Sequence, residues 1–121
     1  MHHFKNLKIW QKARVVVRDV YEVTSNFPDS EKFALSSQLR RCSVSIPSNF
    51  AEGAGRGSDG DFADFLSFSI GSSFELETQL IIAKDLELVS DENYRHMISE
   101  IEEIQRMLIG FRNKIVGKTS V

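Results

Sequence analysis

The run Phe62-Ala63-Asp64-Phe65-Leu66-Ser67-Phe68-Ser69-Ile70-Gly71-Ser72-Ser73-Phe74-Glu75-Leu76-Glu77-Thr78-Gln79-Leu80-Ile81-Ile82-Ala83 decides the fold. Phe62, Phe65, Leu66, Ile70, Ser73, Leu76, Leu80, Ile81 and Ala83 recur at steps of three and four. That spacing predicts one long helix, from about Asp59 to Leu88. Its apolar arc covers about half the circumference at ~100° per residue, wider than one helix–helix seam needs. The width predicts contact with two neighbours, including another subunit. Ser58 three residues before Asp61 predicts an N-terminal cap.

The same period extends outward in both directions. Trp10, Ala13, Val17, Val20, Thr24 and Phe27 predict a first helix over about Leu7 to Asn26. Phe27-Pro28-Asp29-Ser30 punctuates it, with Asp29 or Ser30 as the cap of the next helix. Leu35, Leu39, Cys42, Ile46, Phe50 and Gly53 mark a second helix, about Glu31 to Gly53. Pro47 lacks the N–H that would reach the Ser43 carbonyl, which predicts a kink or two shorter helices. Ser90-Asp91-Glu92 caps a last helix carrying Tyr94, Met97, Ile98, Ile101, Ile104, Leu108, Phe111 and Ile115. Arg112, Lys114 and Lys118 stand near its end and Gly117 marks its expected stop. Four long helices with short connections predict an all-α, antiparallel up-and-down four-helix bundle.

Composition agrees and excludes other classes. The 121 residues suit one domain, 1–121, and 41% hydrophobic residues suffice for one core. Only 2 Pro and 7 Gly occur, too few for a turn-rich β fold. One cysteine, Cys42, excludes an internal disulfide framework and fits a reducing compartment, so the cytoplasm is expected. The longest apolar stretches, Val15 to Val17 and Leu80 to Ala83, are far short of the ~20 residues of a membrane span.

Charge is uneven although the net is −2. Residues 1–18 hold Lys5, Lys8, Lys12, Arg14 and Arg18 and no acid, while 59–92 hold nine acids against Lys84. Lys8, Lys12, Arg14 and Arg18, with Arg40, are the candidate contacts for RNA or DNA. A solvated face attracted to the acidic helix is the plainer account of the same residues.

Catalytic and metal signatures are weak. Gly55-Arg56-Gly57-Ser58-Asp59-Gly60 matches a dinucleotide fingerprint by letter, but a helix precedes it where a strand is required. His96 is the one His beyond the N-terminus. With neither Glu-x-x-His nor His-x-x-x-His present, no bundle metal site and no cofactor is expected. Cys42 in an apolar stripe reads as a small hydrophobe. Gln38, Arg41, Ser45, Asn49 and Glu52 run as a polar row beside the second helix's stripe. Glu77 projects within the apolar arc of the third helix, and Glu75 points to the other side, beside Gly71 and Thr78. An inward carboxylate next to Arg41 or Asn49 would make a buried network fixing register or subunit docking, and Gly71-Ser72-Ser73 would let helices approach. An enzyme built on Glu52, Glu75 and Glu77 lacks the nucleophile, base and orienter. No small-molecule substrate is indicated.

Taken in order, several segments resemble one bacterial family. They are Trp10-Gln11-Lys12-Ala13, Phe27-Pro28, Gln38-Leu39-Arg40-Arg41, Ser45-Ile46-Pro47-Ser48-Asn49, Ala51-Glu52-Gly53, Arg56 and Gly71 to Leu80. The chain resembles the 23S rRNA intervening-sequence proteins from about Phe4 to Ile115. Phe50, and Phe68-Ser69-Ile70, depart from the usual residues in packing only. The resemblance implies a bundle assembled as a ring-shaped homopentamer, with no established enzymatic activity and a role at rRNA or other nucleic acid. The accessory protein of diversity-generating retroelements is similar, which implies as the alternative an interaction scaffold for a reverse transcriptase. That relative is basic, whereas this chain has a pI of about 5.9.

Overall fold

The computed structural model describes residues 3–119, with side chains to 117. The Lys118 side chain therefore lies outside the described residues. Four α-helices follow one another: α1 Lys8–Thr24, α2 Leu35–Ala54, α3 Asp59–Asp85 and α4 Asp91–Thr119. Short 3-10 turns at Phe4–Asn6 and Asp29–Glu31 precede α1 and α2.

Paired residues give the topology. Gly53 faces Phe62 and Phe65, Ser69 Oγ donates to the Ile46 carbonyl at 2.8 Å, and Cys42 Sγ donates to Ser72 O at 3.1 Å. Numbers rise on α3 as they fall on α2, so the two are antiparallel. Arg112 reaches Ser67 and Gln105 reaches Ser73, so α4 runs against α3. Lys12 pairs with Glu103, and Asp19 lies by His96 and Glu100, so α1 closes the circle against α4. The molecule is an all-α, up-and-down four-helix bundle. Among the described residues, no helix is long and apolar enough to cross a membrane.

Local chemistry sets the helix ends. Ser58 Oγ accepts from the Asp61 N–H at 3.1 Å, and Ser90 Oγ accepts from Asn93 N–H at 3.1 Å. These are the side-chain caps read in the sequence. Asp29 and Ser30 do not cap α2. The 3-10 turn takes up 29–31, and α2 begins only at Leu35, whose N–H reaches Glu31 Oε2 at 3.4 Å. α3 stops at Asp85, short of Leu88. Glu87 adopts φ 61°, and Leu88 N–H turns back to Ala83 O while Glu87 N–H bonds Lys84 O. That is the Schellman pattern, which satisfies the last carbonyls. α4 continues through Gly117 to Thr119, so Gly117 is no stop.

Pro47 does not divide α2, so the expected alternative of two shorter helices does not occur. The proline is buried within the continuous helix, and side chains bond carbonyls on both sides of it. Ser45 Oγ donates to Cys42 O, Asn49 Nδ2 to Ser45 O and Ser69 Oγ to Ile46 O. On α1 the buried line is Ile9, Ala13, Val16, Val20 and Thr24. Trp10 and Val17, expected inside, sit half-buried at its edge, Trp10 edge-to-face with Phe4 at 5.1 Å.

Leu39, Ile46, Phe50, Phe62, Leu66, Leu76, Leu80, Ile101, Ile104 and Leu108 are among the fully enclosed core side chains. Phe50, Phe62 and Phe111 form a ring trio with centroids 5.5–5.6 Å apart near the α2–α3 loop. A close helix approach lies beside it. A β-carbon on Gly53 would lie 2.7 Å from Phe65 Cβ.

Candidate functional site

The polar residues singled out on α2 and α3 divide into local pairs. Arg41 is exposed and its Nη2 donates to Ser37 Oγ at 3.4 Å. Ser45 and Asn49 bond carbonyls of their own helix. Glu52 pairs with Arg56 at 3.0 Å, and Arg56 also lies 4.7 Å over the Phe65 ring. Glu75 accepts from Gln79 Nε2 at 3.3 Å, and Glu77 accepts from Gln105 Nε2 at 2.9 Å. No carboxylate of α3 bonds Arg41 or Asn49. Gly71 is exposed, and a β-carbon there would meet nothing within 4 Å. The expected close approach within the chain is at Gly53 instead.

Arg41, Ser45 and Glu75 do share one open groove between α2 and α3, of about 350 Å³. Gln79 lines it and is buried, with Oε1 unpartnered. Cys42 lies at its floor. Burial first, then the charge of Glu75, pushes the thiol up to about 12. Gln105 went unread in the sequence, although an amide between Ile104 and Leu108 is the signal that could have found it. Buried at 7% exposure, its Nε2 donates to Ser73 O at 3.3 Å as well as to Glu77.

The basic residues of α1 do not form one strip. Lys12 is ion-paired with Glu103, and its hydrogen bond, then its charge, pulls the Glu103 carboxyl below its usual value. Arg14 and Arg18 stand about 120° and 80° around the helix from Lys8, at ~100° per residue. They share a separate shallow depression with Gln11 and Val15. Arg14 lies 4.9 Å over the Trp10 ring, and Arg18 Nε is 3.7 Å from Asp19 Oδ1. Arg40 belongs to another edge. Its Nε donates to Thr24 Oγ1 at 2.8 Å while its guanidinium stacks 4.6 Å over Tyr21. Lys32, Phe33, Ser37 and Arg41 complete that groove, of about 360 Å³, with Phe33 90% exposed.

The outer side of α3 carries large apolar side chains among polar ones such as Ser67, Glu75 and Thr78. Phe68, Phe74, Ile81 and Ile82 are 57%, 48%, 40% and 43% exposed. On the helix they bracket Gly71, all within about 80° of it.

One cluster joins residues far apart in the chain. Asp19, His96 and Glu100 bring a donor atom each to within 4.8 Å of one another. Burial, then a hydrogen bond and the charge of Asp19, push Glu100 up to about 7, against the opposing pull of His96 and Arg18. His96 and Glu100 are four apart on α4, a spacing that neither Glu-x-x-His nor His-x-x-x-His describes.

The sequence profile of the 23S rRNA-intervening sequence proteins matches residues 5–110. The chain belongs to that family. This member of the 23S rRNA-intervening sequence family is similar to a solved structure from Bacteroides thetaiotaomicron, a protein with unknown function from the S23 ribosomal protein family. They share 23% identity with a TM-score of 0.81, over 87% of this chain and 95% of that one. At that identity the likeness speaks to the fold of this family member. Among curated proteins, none matches.

Proposed function

We propose that this chain is a non-enzymatic, self-assembling bundle that works as a multimer at rRNA or another nucleic acid. The outer face of α3 carries the reading. Phe68, Phe74, Ile81 and Ile82 are four large apolar side chains exposed on one side of α3, with Glu75 and Thr78 among them. Gly71 at its centre leaves room for a second helix. The homopentameric ring is the assembly that the family resemblance implies. The absence of catalysis is supported by the local pairing of Glu52, Glu75 and Glu77 and by the raised Cys42 thiol. Sedimentation at micromolar concentration tests it. The expected mass is five times the 13.8 kDa chain, falling to one chain in a Phe68→Asp, Ile82→Asp variant. A strictly monomeric parent protein removes the reading.

Nucleic-acid binding is favoured at the Arg40 edge. Lys32, Arg40 and Arg41 lie beside exposed Phe33 and Tyr21, the combination of cations and ring faces that suits a single strand. Lys8, Arg14 and Arg18 add positive charge on α1. Fluorescence anisotropy with a labelled single-stranded RNA at 50 and 200 mM salt tests this. Binding should weaken steeply with salt, as counterion release requires. It should fall in Phe33→Ala, Arg40→Ala, Arg41→Ala and in the combined Ala variant of Lys8, Lys12, Arg14 and Arg18. Salt-independent binding, or binding untouched by both sets, overturns it.

A further inference from the structure

We propose that Asp19, His96 and Glu100 form a binding site for one divalent transition-metal ion of the zinc class. His96 and Glu100 are one turn apart on α4 and project from the same face, while Asp19 comes from α1. His96 Nε2 is 3.3 Å from Glu100 Oε1 and 3.6 Å from Asp19 Oδ2. Tetrahedral zinc holds nitrogen and oxygen donors at about 2.0–2.1 Å, which places neighbouring donors about 3.4 Å apart. Two edges of that tetrahedron therefore stand near their bound lengths without the ion.

The surroundings agree. Glu100 Oε1 is sealed from solvent and faces His96 Nε2 at 3.3 Å outside hydrogen-bond geometry, so a cation between the two would satisfy it. Arg18 approaches the other oxygen of Asp19, Oδ1, and leaves Oδ2 facing the cluster. The His96 side chain is 65% exposed, which gives an entry path and room for water as the fourth ligand. One imidazole and two carboxylates suit zinc, whereas magnesium and calcium call for six or more oxygens. An ion here would clamp α1 to α4, the seam that closes the bundle.

The test uses metal-free full-length protein in a His2→Ala, His3→Ala background, which removes the N-terminal imidazoles from the readout. Zinc is titrated by calorimetry, and cobalt by its visible absorption, which reports coordination geometry. One equivalent per chain is expected, with tetrahedral cobalt bands. Asp19→Asn, His96→Gln and Glu100→Gln should each weaken zinc at least tenfold. Zinc should raise the melting temperature of the background protein and not of His96→Gln, since only the folded site binds it. His96 is largely exposed and Glu100→Gln keeps side-chain volume, so both variants stay folded, as circular dichroism will report. No binding up to millimolar zinc, or binding that all three variants leave unchanged, overturns the site.

Discussion

A β-carbon added to Gly53 would lie 2.7 Å from Phe65 Cβ and 2.9 Å from the Phe62 ring. Neither neighbour can yield. Phe65 Cβ is fixed to the α3 backbone, and Phe62 is locked in the ring trio with Phe50 and Phe111. Gly53→Ala is expected to cost about 2 kcal/mol despite alanine's better helix propensity, because overpacking outweighs it. Urea unfolding measures this, and an unchanged or higher midpoint would contradict the close approach.

Gly71 predicts the opposite sign. Nothing stands within 4 Å of a β-carbon there, so Gly71→Ala should stabilise an isolated chain by roughly 0.5–1 kcal/mol. The same methyl would sit on the face proposed to dock a second copy. Unfolding at low concentration should show the gain, while sedimentation should show weaker assembly. Assembly at parent strength would remove Gly71 from the contact.

Glu87 carries a left-handed backbone that glycine adopts freely, at φ 61°. Its N–H and that of Leu88 close α3 on Lys84 and Ala83. Glu87→Gly should therefore raise stability by about 1 kcal/mol, read as a higher melting temperature. A loss would show that the Glu87 side chain contributes more than its backbone strain costs.

The Cys42 thiol is raised to about 12 by burial and by Glu75. A raised pKa means less thiolate at any lower pH, roughly 10³-fold less at pH 8 than for an ordinary cysteine. Iodoacetamide should label the folded protein at least that much more slowly than the urea-unfolded chain. The folded rate should still be climbing with pH at 10, where a free thiol has levelled off. A plateau near pH 9 would place Cys42 in water.

What was legible in the sequence was local. The step of three and four on α3, the caps at Ser58 and Ser90 and the short connections each depend on neighbours within a turn or two. They suffice for four helices in a bundle. Pro47 predicts a possible division of α2 from its local cost alone, whereas the helix is held on either side of it by packing in the bundle core. Gly53 and Gly71 look alike in sequence, and only the position of α3 makes one of them indispensable. The triad of Asp19, His96 and Glu100 needs α1 and α4 side by side, so no window along the chain contains it. A helical wheel predicts one network for the polar row on α2, because it shows which residues share a face. It does not show that Arg41 and Asn49 find partners within α2, and Glu52 one in the loop just after it.

The pairing of α1 with α4 governs the order in which this chain can mature. During synthesis α2 and α3 can zip together early, because their contacts beside the loop at 55–58 span little sequence. α1 then has one wall against α2 and waits for its second. Lys12 and Asp19 acquire their partners only when residues 96–103 have left the ribosome. α1, made before the other three helices, is thus locked only once α4 is present.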